Sequence, residues 1–336
     1  MKIAICILNW NGVALLQRFL PSVVKHSENS SIYVIDNGST DDSINWLKQY
    51  YPSVSLIPLA QNYGYAGGYN KGLKQIDADL YCLMNSDIRV DKGWLPPIQK
   101  AFAKDPNIAI AQPKIKQEKQ SDFFEYAGAA GGFIDALGYP YCRGRILQHI
   151  ERDKGQYQGV SPVFWASGAC LFIRAEKFWA LEGFDEDFFA HQEEIDLCWR
   201  AQNRGWGVWA IGDSEVFHLG GATLPQSPQK WYLNFRNSLW MLQKNLPRKQ
   251  LISVLILRMI VDGLAGISFL FRGQFRNFWA VIRAHKALYA HWSKNQHKRK
   301  KQSTFIHPYF HVKSILWLYF VLKRSKFTDL PLDKRE

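Results

Sequence analysis

The sequence predicts an α/β fold with a mostly parallel, Rossmann-like sheet flanked by helices, followed by a basic, aromatic, helical C-terminal extension. Three observations predict it. Apolar, β-branched runs alternate with helical patterns over the first 115 residues. Polar, turn-forming residues gather where three of those runs end. The chain also changes character near position 230: residues 230–336 hold 21 Lys/Arg against 4 Asp/Glu, whereas residues 1–229 hold 21 against 25. The expected division is therefore a region 1–229 and a region 230–336.

Residues 2–8 form the first strand, which ends in Asn9-Trp10-Asn11-Gly12. Residues 13–24 carry Leu16, Phe19, Leu20 and Val23 at helical spacing, with Pro21 disturbing the end of the helix. The second strand, 31–35, runs into Asp36-Asn37-Gly38. A helix over 41–50 has acids in its first turn. A third strand spans 54–59, a glycine-preceded helix 66–76, a fourth strand 80–84, a helix 92–103 and a strand 108–111. This alternation implies βαβ units with right-handed crossovers. Residues 117–160 are rich in glycine and aromatics and predict hairpins and loops. A strand over 162–174 is interrupted by Ser167-Gly168. A helix over 195–203 is stopped by Gly205, and strands follow at 206–211 and 215–218.

The most hydrophobic stretch is Leu251–Phe271, but it contains Arg258 and Asp262. A charge at mid-bilayer costs about 3 kcal/mol on insertion scales. A helix lying in the membrane interface is therefore expected instead of a span. Trp279, Trp292, Trp317 and the run His297-Lys298-Arg299-Lys300-Lys301 fit an anionic headgroup layer.

Composition narrows the class. With 47% hydrophobic residues in 336, the chain can bury a large core. Five cysteines without a CxxC pair argue against a disulfide or zinc framework and for a reducing compartment. The N-terminus shows no signal-peptide pattern, so a cytoplasmic location is expected, peripheral at the inner face of a membrane. The acidic balance of residues 1–229 argues against nucleic acid as a partner.

Five features carry chemistry. Asn85-Ser86-Asp87 follows a strand, where Asp87 suits Mg²⁺ or Mn²⁺ bridging a diphosphate; an Asx-type turn is the plainer reading. Asp36 ends another strand and could accept a hydrogen bond from a pyrimidine N3–H, or simply organise a strand-to-helix turn. The run Asn62-Tyr63-Gly64-Tyr65-Ala66-Gly67-Gly68-Tyr69-Asn70 offers either a phosphate cradle at a helix N-terminus or close backbone packing. Glu193-Glu194-Ile195-Asp196 opens a helix on which Glu194 shares an apolar face with Leu197, Cys198 and Ala201. Burial at a cleft rim would raise the pKa of Glu194 toward that of a general base. His218 follows a strand and is a candidate second metal ligand or phosphate contact.

The order of these strings is more informative than any one of them. Val34-Ile35-Asp36-Asn37-Gly38-Ser39, the Asn62–Gly72 run and Leu83-Met84-Asn85-Ser86-Asp87 resemble the family 2 glycosyltransferases, in particular their rhamnosyltransferase-like branch. Ser167-Gly168-Ala169, Gly183-Phe184-Asp185-Glu186, Glu193-Glu194, His218-x-x-Gly221 and Arg236-Asn237 continue the likeness over roughly residues 1–245. The resemblance implies a GT-A fold and an inverting displacement. It implies a base-binding Asp36, a divalent-metal motif at Asn85 and Asp87, and an acceptor side lined by Trp165, Ser167, Gly168 and Ala169. One acid of Glu193-Glu194 would deprotonate the acceptor. With a nucleotide sugar as donor, Asn9, Asn11, Asp36, Asn62, Gly67, Asn70, Asn85 and Ser86 become its expected contacts, and Asp87 and His218 the metal's.

Two departures stand out. The family's usual Glu-Asp pair is Glu-Glu here, with Glu194 in the second position, and Asn85 replaces a first Asp. The first departure leaves open an inactive nucleotide-sugar or membrane-binding protein. Nucleotidyl transfer is disfavoured because no P-loop or paired-Asp site is visible. dTDP-rhamnose and UDP-hexoses are the expected donors, and a saccharide, free or lipid-linked, the expected acceptor.

Overall fold

The computed structural model describes residues 1–220, 227–302, 304–306 and 308–332. The sheet-forming half begins with strand β1 (Ile3–Asn9), helix α1 (Val13–His26), β2 (Ser31–Asp36), α2 (Ser43–Tyr50), β3 (Ser55–Pro58), α3 (Gly64–Leu73) and β4 (Leu80–Asn85). It continues through β5 (Ile88–Val90), α4 (Leu95–Lys104) and β6 (Ile108–Gln117). Four short strands follow: β7 (Gly132–Ile134), β8 (Pro140–Cys142), β9 (Arg145–Ile146) and β10 (His149–Ile150). Then come β11 (Val160–Pro162), β12 (Cys170–Arg174), α5 (Ala175–Ala180), α6 (Glu193–Asn203) and β13 (Gly207–His218).

The main sheet has nine strands, in the order β11-β13-β6-β12-β4-β1-β2-β3 with β5 on β13. Strands β3, β2, β1 and β4 are parallel neighbours, and β6 and β13 are parallel to each other. The run β1 is buried on both faces, so it reads as continuously apolar. Ile3, Ile5 and Ile7 meet α1, α2 and α4 on one face, while Ala4 and Cys6 meet the Tyr69 and Leu73 side of α3 on the other. That alternation is the pleat of a strand.

Three expectations change. Pro21 does not end α1, which continues to His26 with Pro21 inside it. The strands expected at 206–211 and 215–218 are one strand, β13, with a register shift between Ile211 and Glu215. Only the last five residues of the expected 162–174 strand form β12, which runs antiparallel to both neighbours, β4 and β6. The hairpins expected over 117–160 form a separate four-stranded sheet, β10-β9-β8-β7.

The C-terminal helices are α7 (Pro228–Asn245), α8 (Leu251–Phe271), α9 (Phe275–Ala290), α10 (Trp292–Lys300) and α11 (Ile315–Phe320). Leu239, Trp240, Met241 and Leu242 of α7 lie in the same core as Leu171 of β12 and Leu197 of α6. The hydrophobic core thus runs across position 229/230. Three residues of the run 297–301 also differ from their expected lipid-facing role, while His297 and Lys300 are exposed. Lys298 Nζ bonds Asp187 Oδ2 at 2.6 Å, Arg299 Nη1 bonds the Gln243 carbonyl at 3.0 Å, and Lys301 Nζ bonds Glu182 Oε2 at 2.8 Å. Trp292 packs against the core as well. These cations face acids and carbonyls of the fold because burial beside an unpaired Asp185 or Asp187 would be costly. Trp279 and Trp317, by contrast, are exposed.

Candidate active site

Parallel pairing of β1 with β2 sets Asn9 directly beside Asp36. Asn9 Nδ2 donates to Asp36 Oδ2 at 2.9 Å, and Ser39 N donates to Asp36 Oδ1 at 2.9 Å. Asn11 Oδ1 accepts from Thr40 N at 2.7 Å and Asp41 N at 3.3 Å. Asn37, missing from the sequence-derived set, ties this turn to the next one. Its Nδ2 donates to Asn62 Oδ1 and to the Gly64 carbonyl, each at 3.0 Å, and its Oδ1 accepts from Tyr63 N at 3.0 Å. Asp36 is fully buried within this network. Asn9, Asn11, Asp36 and Asn62, the residues expected on the donor side, therefore lie in one hydrogen-bonded network.

The glycine run serves packing. A Cβ on Gly68 would meet Leu8 Cδ1 at 2.8 Å, one on Gly72 would meet Ile35 Cδ1 at 2.5 Å, and one on Gly67 would touch Tyr63 Cβ at 3.0 Å. Close approach of α3 to β1 and β2 requires their absence. The N-terminus of α3 is already capped, because Tyr65 N donates to the Phe189 carbonyl at 2.8 Å. The phosphate-cradle reading of Gly67 is thus replaced by a packing role. Asn70 is engaged too. It donates to the Phe184 carbonyl at 2.8 Å and to Glu186 Oε1 at 3.0 Å, and accepts from Phe184 N at 2.9 Å. It fastens the 183–186 segment to α3, which saturates its amide and removes it from donor contact.

At the end of β4, Asn85 and Ser86 are half-buried and Asp87 is buried. Antiparallel pairing of β5 with β13 places His218 opposite Ile88, one residue from Asp87. His218 Nε2 lies 3.1 Å from Asp87 Oδ1, and its Nδ1 lies 3.3 Å from Glu125 Oε2. Burial alone would lower the His218 pKa, but the two carboxylates outweigh it and raise it to about 10. The expected metal pair, Asp87 and His218, is brought together. Glu125, which sequence reasoning did not single out, backs His218 from the 117–160 hairpin region.

Does this pair fit a divalent cation? Both Asp87 carboxylate oxygens are buried without an aligned hydrogen-bond donor. A carboxylate in that state would suit a divalent cation, which His218 could help to hold only after giving up the proton that Asp87 and Glu125 favour on it. Among the described residues no group of three His, Cys, Asp or Glu side chains forms a metal cage by itself. The residues fit a cation shared with a substrate, and not a resident structural metal.

The carboxylate pair opens α6. It is presented by an unusual segment: Phe189, His191 and Gln192 all have left-handed backbones, with φ of 64°, 71° and 71°. Non-glycine residues seldom adopt this conformation, and runs of it mark functional sites when the surroundings enforce it. Here α7 enforces it. Asn237 Nδ2 donates to the carbonyls of Phe188, Ala190 and His191 at 3.0, 2.8 and 2.7 Å. Arg236 Nη2 adds the carbonyls of Asp187 and Phe188 at 3.0 and 2.9 Å. Below them, Lys244 Nζ joins Asp185 Oδ2 at 2.6 Å to Asp196 at 2.9 Å.

Four consecutive residues then carry buried polar atoms without partners: His191 Nε2, Gln192 Oε1, Glu193 Oε2 and Glu194 Oε2. Such a cluster is expected where a polar substrate completes the bonding. Glu193 is buried and Glu194 half-buried. Burial, reinforced by Glu194, pushes the Glu193 carboxyl well above its ordinary range. Burial also raises Glu194, but backbone N–H groups at the helix start hold it to about 7. The backbone around Gly168 connects this helix to the Asn85–Asp87 turn. A Cβ on Gly168 would stand 2.9 Å from Tyr65 Oη and 3.8 Å from Glu194 Cβ. Tyr65 Oη donates to the Gly168 carbonyl at 2.7 Å, and Asn85 N donates to the Ala169 carbonyl at 3.0 Å.

Of the expected acceptor residues, Gly168 and Ala169 lie in this bridge. Trp165 does not: it is 4% exposed, its indole packs on Gly132, and its Nε1 donates to the Phe133 carbonyl at 2.9 Å. Its large apolar surface is better satisfied in the core than in a wet cleft. Ser167 is also buried, with Oγ bonded to the Ala127 carbonyl and N to Gln112 Oε1 at 2.9 Å. The sequence pointed to neither His191 nor Gln192, whose partnerless atoms only the folded turn reveals. Asn237 lay within the string Arg236-Asn237, but its three-carbonyl grip did not show.

Comparison with known proteins agrees with this architecture. The glycosyl transferase family 2 model matches residues 4–181. The N-acetylglucosaminyl-diphospho-decaprenol L-rhamnosyltransferase of Mycobacterium tuberculosis is 30% identical over 222 residues, covering 60% of this chain and 71% of that protein. The dTDP-rhamnosyl transferase RfbF of Shigella flexneri is 24% identical over 233 residues, covering 65% of this chain and 72% of that one. Among solved structures, GalNAc-T7 with UDP, GalNAc and Mn²⁺ superposes with a TM-score of 0.57 at 16% identity, covering 73% of this chain and 48% of that chain. The mannosyltransferase PcManGT from Pyrobaculum calidifontis, in complex with GDP-Man and Mn²⁺, gives 0.52 at 13% identity, covering 87% and 75%. These likenesses show the GT-A fold. With a family model spanning more than half of its length and an aligned rhamnosyltransferase, the chain is a glycosyltransferase that belongs to glycosyl transferase family 2.

Proposed function

We propose that the chain is an inverting transferase. It moves rhamnose or a hexose from a dTDP- or UDP-sugar to a saccharide acceptor carried on a lipid, in cell-surface polysaccharide synthesis at the cytoplasmic face of a membrane. The observation that carries the reading is Glu194: a carboxyl held near neutrality, beside Gly168, with the Asn85–Asp87 turn joined to the far side of the same backbone segment. The names of the two rhamnosyl transferase relatives support the donor, and the mycobacterial one supports a diphospholipid-linked acceptor.

The chemistry follows from the residues. Glu194, ionised, accepts the proton of an acceptor hydroxyl as its oxygen attacks the anomeric carbon. The bond from that carbon to the diphosphate oxygen breaks on the opposite face, which inverts the configuration. The donor-side floor of Asn9, Asp36 and Asn37 fixes the nucleotide end. A divalent cation, when bound at Asp87 and His218, supplies positive charge at the leaving diphosphate. Gln192 and His191 are positioned to meet hydroxyls of the sugar or acceptor. Residues 230–336 provide both the clamp on the catalytic turn and the membrane side.

The test is nucleotide release from a panel of nucleotide sugars with Mn²⁺, Mg²⁺ or EDTA, using wild-type protein and Asp87→Asn. Metal-dependent release from one donor, lost in Asp87→Asn, is the expected result. Donor binding without turnover on any saccharide acceptor would instead favour a catalytically inactive nucleotide-sugar-binding protein.

A further inference from the structure

Among the described residues no element covers the outer side of α8. Ile252, Ile256, Ile260, Leu264, Ile267 and Phe271 recur at three- and four-residue spacing and are between 46% and 89% exposed. The opposite stripe, with Leu255, Arg258, Asp262 and Phe269, is buried. That inner stripe is bolted to the turn after β7. Arg258 Nε meets Asp262 Oδ1 at 2.9 Å, and Arg258 Nη1 donates to the Leu137 carbonyl at 3.0 Å. Tyr139 Oη donates to Asp262 Oδ1 at 2.8 Å, and the guanidinium lies 3.7 Å from the Tyr139 ring centre.

The same turn anchors the segment that leads into α11. Ala136 N donates to the Val312 carbonyl at 3.3 Å, and Ile315 N to Asp135 Oδ2 at 2.9 Å. Trp317, Phe320, Val321 and Leu322 beyond that anchor are exposed, as are Phe275 and Trp279 at the start of α9. Exposed basic side chains flank these aromatics: Arg272, Arg276, Lys323 and Arg324. Asp262 is buried, so Asp329 is the single acid after Lys230 that reaches water among the described residues.

We infer that this face is the docking surface for an anionic bilayer, and that α8 lies half-immersed in the plane of the membrane without crossing it. Length alone would allow a span, since Arg248–Phe271 is 24 residues long and apolar. Crossing would strip Arg258 and Asp262 from Leu137 and Tyr139 and carry both charges into hydrocarbon. Lying flat keeps that polar stripe on the protein and immerses only the apolar one. The arginines and the excess of basic over acidic side chains choose anionic headgroups over a neutral surface or a second copy of this equally basic face. The inference rests on the membrane-side part of the proposed function and is independent of the donor and of the base.

Flotation of the full chain with vesicles tests it, using phosphatidylcholine alone or mixed equally with phosphatidylglycerol. The expected result is binding at least about tenfold stronger to the anionic vesicles, released by alkaline carbonate. Ile256→Glu with Leu264→Glu should abolish binding, and Arg272→Glu with Arg276→Glu should erase the preference for anionic lipid. Both pairs should leave the circular dichroism spectrum and vesicle-free donor hydrolysis unchanged. Three outcomes overturn the proposal: no vesicle binding, carbonate-resistant insertion, or a dimer that the Glu pair dissociates in the absence of lipid. Donor hydrolysis on the same preparation separates failure of docking from failure of the transferase reading.

Discussion

The turn after β2 and the turn before α6 meet at the start of α3, where Asn37 Nδ2 bonds the Gly64 carbonyl and Tyr65 N the Phe189 carbonyl, but they are built in opposite ways. The first is nearly saturated: Asp36, Asn9, Asn11 and Asn37 answer one another, Asn9 Oδ1 alone among these side-chain atoms is buried without a partner, and the left-handed backbone positions fall on Gly38 and Asn11, residue types that tolerate them. The second is strained and unfinished, with three left-handed non-glycine residues and partnerless polar atoms at His191 to Glu194. A saturated turn is a template, selective and rigid. In the proposed mechanism the unfinished turn is where the acceptor's proton is taken; Arg236 and Asn237 hold it from one side and the start of α3 from the other.

The largest test of this contrast is Glu194→Gln. Turnover should fall about a thousandfold with donor affinity unchanged, whereas Glu193→Gln should cost far less, because Glu193 is held neutral. A comparable loss from both would break the distinction between the two acids. The wild-type rate should follow ionisation of Glu194, rising with pH through about 7. Stability runs the other way. The folded protein keeps this proton above the unfolded carboxyl's ordinary 4.5, so stability falls as pH rises from there toward 7. Glu194→Gln should therefore melt a few degrees higher than wild type at pH 8.

Next comes Asn237→Ala, which takes the donor from the carbonyls of Ala190 and His191, while Phe188 keeps Arg236. Each unsatisfied group costs about 1–3 kcal/mol, so the melting temperature should drop by several degrees. If α7 positions the catalytic turn, kcat should also fall about tenfold to a hundredfold while the donor KM stays near wild type. Equal changes in kcat and donor KM would show that the saturated turn depends on α7 as well. The smallest effect is expected from Gly168→Ala. Its methyl would press on Tyr65 Oη and displace the backbone beside Glu194 by a fraction of an ångström, for about a threefold to tenfold loss of kcat. Crystals of that variant with an undisturbed Tyr65 would weaken the link between the two sides of the cleft.

The saturated turn was the more legible of the two in the sequence. Local rules govern it: strand patterns, Asx residues at strand ends and glycines at helix starts leave marks within ten or so positions. Asp87 and His218 were also legible as a pair, although their meeting depends on β5 pairing with β13. What escaped were relations between distant segments. Trp165 looked like a cleft residue because the glycine it covers, Gly132, lies far back in the chain. Asn70 looked free because its partners, Phe184 and Glu186, belong to another element. The antiparallel β12 could not be told from a parallel strand by its apolar run, since both are buried on two faces. The basic run at 297–301 looked like a lipid contact because charge counts do not say where the acids are; Asp185, Asp187 and Glu182 were waiting for it.

The ion pairs from α7 and α10 to Asp185, Asp187 and Asp196 bear on how this enzyme can be handled. Trimming the chain near position 230 to obtain a detergent-free catalytic fragment would delete Lys244, Lys294 and Lys298 together. Three carboxylates would then repel one another beneath the catalytic turn, and Asn237 would be gone as well. If the outer side of α8 docks on lipid as proposed, a lipid-free version is better made by repainting that side with polar residues than by shortening the protein, because the part that resembles an anchor also holds the turn before α6.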